Sequence, residues 1–188
     1  MTRQRAAQKW AAFVIQGVKM AEFKIITVSD VKSEKVDFLW GPYIPLGKIT
    51  IIQGDPESGK TTLALAVASA VTTGSPLPGI IRTNKGSVIF QTAEDGLADT
   101  IKPRLELLGA DCSKVHVIDE SEYPLTLLDE CIEEAVVKMK ASMLVLDPLQ
   151  AYLGSDMQSV GGARPLMKRL ASIADNTGCA CYKNGAIG

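Results

Sequence analysis

The chain contains a single histidine, His116, and aromatic residues make up only 5% of its 188 positions. One histidine with no neighbouring ligand candidates does not build a zinc centre, and the apolar stretch Val115–Ile118 around it reads as a strand. The four cysteines, Cys112, Cys131, Cys179 and Cys181, lack the paired spacing of a metal site. Buried or idle thiols in a reducing cytosol are the plainer reading, with a redox or metal role for Cys179 and Cys181 as the alternative. Net charge is nearly absent, at −1 from 20 basic and 21 acidic residues. That excludes a chain-wide basic surface for nucleic acid or an anionic membrane, though not a local patch. No apolar run approaches the roughly 20 residues needed to span a bilayer. A cytoplasmic location without a membrane partner is therefore expected.

What remains is ordinary globular composition, 46% hydrophobic and 22% charged, at a length suited to one domain. Residues 1–19 stand apart. Arg3, Arg5, Lys9 and Lys19 surround the apolar patch Trp10–Ile15 with no acid before Glu22, and Met20 looks like a second natural start. The segment lacks the uninterrupted apolar core of a secretory signal. It reads as an extension outside the fold, with a basic presequence or surface-binding helix as the alternative, and leaves residues 20–188 as the core.

Within that core, short β-branched runs alternate with longer helical patterns. Strands are expected at Lys48–Gln53, Ser87–Gln91, Val115–Ile118 and Ser142–Leu146. Helices are expected at Thr61–Thr73, Leu97–Leu108, Leu127–Lys140 and Arg164–Asn176, with Pro103 starting a new turn or kinking the second. This alternation predicts an α/β domain with a mainly parallel sheet flanked by helices.

The chemistry is carried first by Gly54-Asp55-Pro56-Glu57-Ser58-Gly59-Lys60-Thr61, which matches G-x-x-x-x-G-K-[ST] between a strand and a helix. Gly54 and Gly59 let the backbone turn tightly and approach phosphate without a Cβ in the way. Loop amides and the helix N-terminus face the anion. Lys60 supplies a mobile charge for the β and γ phosphates, the Thr61 hydroxyl a magnesium ligand, and Thr62 reaches toward the α-phosphate. Pro56 removes one amide from the cradle, and Asp55 and Glu57 are expected to face outward, away from phosphate.

Two carboxylates extend the motif. Met143–Asp147 is an apolar strand ending in an acid, and parallel sheets gather ligands at the carboxyl ends of their strands. Asp147 is therefore expected beside the loop, holding magnesium directly or through water; an N-cap or turn role before Pro148 is the bland reading. Glu94 follows the second strand and is expected to act as general base on the attacking water. Asp95 is expected to cap the next helix.

The run Leu39–Lys48, the loop motif, QTAEDGLADTIKPRLELLGAD and LVLDPLQAYLG together resemble the RecA-like AAA family ATPases related to plasmid replication helicases. The resemblance covers about residues 38–181. It implies ATP and Mg2+ as cofactors, ATP hydrolysis, ring-like homo-oligomers, and a motor role in DNA replication, recombination or repair. It carries Gly59, Lys60 and Thr61 onto phosphate and metal binding, Glu94 onto the catalytic glutamate and Asp147 onto Walker B. Gln150 is open between sensing the γ-phosphate and a loop-surface role. Arg104, Arg164, Lys168 and Arg169 are the remaining basic candidates, with Arg104 expected to decorate the helix after Glu94.

The sequence departs from the family after Ala180, where an apolar strand and a His-x-Asn-Lys segment give way to Cys181-Tyr182-Lys183-Asn184-Gly185-Ala186-Ile187-Gly188. A missing or vestigial fifth core strand is expected, together with absent C-terminal strands and an absent trans-acting Arg or Lys finger. Val160-Gly161-Gly162 also interrupts the start of the last helix. These departures leave two alternatives to an ATPase: an ATP-binding regulatory or relic module with little turnover, and a P-loop kinase, for which no lid or acceptor site is identifiable.

Overall fold

The computed structural model describes residues 24–153 and 163–185. The expectations for residues 1–19, Met20, Val160–Gly162 and 186–188 lie outside them. The chain divides after Lys35: residues 24–35 carry no regular element apart from a 3-10 turn at Val28–Asp30, and the α/β unit begins at Val36.

Alternating side chains of a five-stranded parallel sheet build this unit. Its strands are β3 (Ile49–Gln53), β4 (Ser87–Thr92), β5 (Val115–His116), β6 (Ala141–Asp147) and β7 (Ala180–Gly185), in the order β3-β7-β6-β4-β5. Successive residues of a strand point to opposite faces. In β6, Met143 and Val145 enter one core with α1 (Lys60–Thr73) and α2 (Lys102–Leu107). Leu144 and Leu146 enter the other with α3 (Glu130–Met139) and α4 (Ala163–Thr177). Both faces are covered, which is why β6 reads as a continuous apolar run rather than an alternating one. A hairpin of β1 (Phe38–Trp40) and β2 (Ile44–Pro45) precedes β3, pinned by the Trp40 indole donating to the Pro78 carbonyl at 2.8 Å.

The fifth strand is present, contrary to expectation. β7 pairs in parallel with β3 on one side and β6 on the other, and Cys179 to Tyr182 are fully buried. Cys-Tyr-Lys-Asn-Gly carries little intrinsic strand preference, but strand propensity is mostly a report of context. Here two neighbouring ladders and two helical layers supply it. Burial also decides the cysteine question: Cys179 and Cys181 lie within the α4-side core. Hydrogen bonding with Cys181, then burial, push the Cys179 thiol above its ordinary value, which disfavours the reactive thiolate. No cluster of three His, Cys, Asp or Glu side chains suited to a metal occurs among the described residues.

Two elements are shorter than their apolar patterns. β5 stops at His116, because buried Gln91 takes over: its Oε1 accepts from the Ile118 amide at 2.6 Å and its Nε2 donates to the Ile118 carbonyl at 3.3 Å. α3 starts at Glu130 because the Asp129 carboxylate accepts from both the amide and the hydroxyl of Thr126, holding a separate turn before it.

α3 and α4 are tied by Arg169, whose guanidinium reaches Glu133 at 2.7 Å with both side chains about three-quarters buried (27% and 25% exposed). Asn176 also donates to Glu133. Arg169→Ala is expected to lower stability by about 1 kcal/mol, with a smaller loss in high salt. Urea or thermal melts of the two proteins check this, and an unchanged midpoint at low salt would show the pair to be neutral.

Candidate functional site

The glycine loop leaves the carboxyl end of β3 and enters α1 directly at Lys60. Gly59 has φ +87°, a left-handed conformation that favours glycine, and a Cβ at Gly54 would meet Ser58 Oγ at 2.9 Å, so that hydroxyl would have to turn away. Lys60 folds back over the loop. Its ammonium donates to the Asp55 carbonyl at 2.7 Å, the Gly54 carbonyl at 3.0 Å and Ser58 Oγ at 3.4 Å. One cation is thus held above a ring of neutral acceptors at a helix N-terminus, which is an anion-receiving arrangement.

Asp147 ends β6, two strands away from the loop strand in the sheet. Its carboxylate is buried, at 7% exposure, and accepts a hydrogen bond from the Thr61 hydroxyl at 2.6 Å. That contact joins two residues 86 positions apart and makes a pair of hard oxygen donors. The charge is felt around it. Burial, then the Asp147 carboxylate, push the Tyr182 phenol up from its ordinary value, so it stays neutral.

Glu94 sits just beyond β4 and is exposed. Its segment is latched to the same strand end, since the Ala93 amide donates to the Asp147 carbonyl at 3.2 Å. Asp95 does not cap a helix. Its amide donates to Thr92 Oγ1, and the cap position of the following π-helical turn, Leu97–Ile101, belongs to Gly96 without a side-chain bond. The five-residue spacing of that turn, closed by the Ile101 amide on the Gly96 carbonyl at 3.0 Å, precedes α2 with Pro103 in its first turn.

A cleft of about 570 Å³ gathers these groups. Residues 56–62 of the loop and helix line it, opposite Glu94, Asp95, Arg104, Asp147 and Asn184. Asp55 is exposed and outside the lining, as expected, whereas Glu57, exposed and with φ 62°, lines the cleft, contrary to the expectation that it faces away. Gln150 is exposed and is not part of the lining, although its amide packs over Gly185, which is part of it. Arg164 and Lys168 are exposed on α4, and Arg169 is engaged with Glu133.

Arg104 and Asn184 were not legible as lining residues, and neither were Pro148 and Gly185 beside them. Arg104 read as helix decoration, because side-chain periodicity does not say where a helix after a π-turn will point; its spacing ten residues after Glu94 was the available signal. Asn184 sat in the segment that looked degenerate.

A glycine loop from strand to helix, a lysine and hydroxyl opening that helix, and an acid ending a nearby parallel strand define a RecA-like P-loop NTPase fold. A family model described as AAA domain matches residues 20–182, and the chain belongs to that family. It is similar to the DNA repair protein RadA of Bacillus subtilis, 28% identical over 145 residues, which is 75% of this chain and 28% of that protein. The RadA proteins of Streptococcus pneumoniae and Listeria monocytogenes are 25% identical over 177 residues and 29% identical over 125. Those matches take in 90% and 66% of this chain but 38% and 23% of the relatives. The chain therefore spans well under half the length of the curated relatives it matches.

Proposed function

We propose that this chain binds ATP with Mg2+ in the cleft and hydrolyses it, as an ATPase serving DNA repair or recombination. The observation that carries the reading is the gathering of Lys60, Thr61, Glu94, Arg104 and Asp147 around one cleft. The relatives, named as DNA repair proteins, supply the link to DNA. Ring assembly and a replication role rest on the family resemblance alone.

The division of labour follows from the residues. Loop amides and Lys60 hold the phosphate tail, and Arg104 adds a second positive charge from the same chain. Thr61 and Asp147 are the oxygen donors that suit a small hard cation. When bound, Mg2+ supplies charge neutralisation on the phosphates. Glu94 accepts a proton from the attacking water, and Thr92 and the Ala93–Asp147 bond keep its segment at the cleft.

A binding module with little turnover was favoured by the expected absence of the fifth strand, and β7 removes that support.

The test is phosphate release from ATP in Mg2+ and in EDTA, with and without single-stranded DNA. No binding and no release in any condition would sink the reading. Within it, Asp147→Asn is expected to leave EDTA-state ATP binding intact. Mg2+-dependent turnover should fall about 100-fold, because metal stabilisation of the transferred phosphoryl group is worth several kcal/mol. Equal turnover in both proteins would remove Asp147 from the metal site.

A further inference from the structure

We propose that Glu57 is a specificity-determining residue of the cleft, whose carboxylate selects cation-bound triphosphate and turns away triphosphate that carries no metal. The proposal rests on the nucleotide reading of the cleft given above.

Glu57 stands in the middle of the glycine loop with φ 62°, in the left-handed region. Among the described residues only Lys140 shares that conformation without being glycine, and Lys140 closes α3, where such a turn is ordinary. Glu57 closes no helix. A side chain in this conformation is a standing cost that glycine would not carry, and strain of this kind at a site is a reason to look for work done by the side chain.

The fold makes no use of it. Among the described residues the Glu57 carboxylate accepts no hydrogen bond and forms no ion pair. The Lys60 ammonium, three positions on, goes instead to the Gly54 and Asp55 carbonyls and Ser58 Oγ. Glu57 is exposed, so its charge is retained, and it lines the cleft.

The charges around the cleft give that carboxylate a direction of effect. Glu57, Glu94, Asp95 and Asp147 line it against only two cations, Lys60 and Arg104. Asp147 is answered by the Thr61 hydroxyl at 2.6 Å and is a donor for the metal. Glu94 and Asp95 stand across the cleft, beyond β4. Glu57 alone belongs to the loop whose amides gather phosphate, a few bonds from the cradle. That is within the screening length of about 8 Å at physiological ionic strength. Mg2+ cancels about two charges of the triphosphate. Two unit charges at that distance in a water-like medium change an affinity about fivefold. The carboxylate therefore opposes metal-free triphosphate most.

Glu57→Gln removes the charge and keeps the side chain, whereas Glu57→Gly removes both and frees the backbone. The measurement is the affinity of a fluorescent ATP analogue in Mg2+ and in EDTA, at low and high salt, with a thermal melt of each protein without nucleotide. Glu57→Gln is expected to tighten EDTA-state binding about fivefold and to leave Mg2+-state binding within about twofold. The ratio of EDTA to Mg2+ dissociation constants should fall accordingly, and the fall should shrink at high salt. Glu57→Gly should lower the ratio to the same extent, with a melting temperature that holds or rises. An unchanged ratio in Glu57→Gln overturns the proposal. A ratio that falls only in Glu57→Gly also overturns it, by assigning the effect to loop conformation rather than charge. A lower melting temperature in both variants with unchanged ratios gives Glu57 a structural role instead. Wild-type protein that binds no ATP in Mg2+ removes the nucleotide reading itself, a result distinct from intact binding with an unaltered ratio.

Discussion

Lys60→Ala is expected to weaken Mg2+–ATP binding by at least about 100-fold, since two charge-assisted hydrogen bonds to phosphate are each worth roughly 1.5–3 kcal/mol. The structure explains why one residue carries so much. The ammonium is held over the loop by the Gly54 and Asp55 carbonyls at 3.0 and 2.7 Å, so little freedom is left to lose when phosphate arrives. Those acceptors are neutral, and exchanging them for anionic oxygens strengthens each bond. The same variant should fold with a nearly unchanged melting point, because the loop is exposed at Asp55 and Ser58 and water can replace the ammonium there. Titration with a fluorescent ATP analogue measures the effect. Affinity within threefold of wild type would show that phosphate is held elsewhere.

Glu94→Gln separates chemistry from binding. Glutamine keeps the shape and loses the base, so turnover should fall about 10²- to 10⁴-fold while ATP affinity stays near wild type. The backbone around Glu94 is held by the Ala93 amide on Asp147 and the Asp95 amide on Thr92, neither of which the substitution touches. Single-turnover phosphate release, run beside a binding titration, reads the two quantities separately. Undiminished release would remove Glu94 from catalysis. Asp95, the other carboxylate lining the cleft at that strand end, would then be the base to test.

How much of this was legible depends on how local each feature is. The loop motif occupies eight consecutive residues, so the strand, turn and helix around it could be read directly. Asp147 and Glu94 were legible one step further out. Asp147 ends an apolar strand and Glu94 lies just past the end of another, and parallel sheets bring strand ends together. Arg104 and Asn184 failed this test for different reasons. The direction of Arg104 depends on a π-helical turn that no spacing announced, and Asn184 gained its position only when β7 was drawn between β3 and β6.

By itself, the sequence determined the α/β alternation and the glycine loop between strand and helix, and it pointed to the strand ends that carry Asp147 and Glu94. These follow from periodicity and from chemistry that nearby residues impose on one another. Only the tertiary structure decided that β7 exists, that Cys179 and Cys181 are buried core, and that Thr61 and Asp147 meet at 2.6 Å. It also turned an apparently degenerate segment into one wall of the cleft. The physical reason is the same in each case. Strand pairing and burial are supplied by neighbours distant in the chain, and they can override weak local preference without leaving a trace in it.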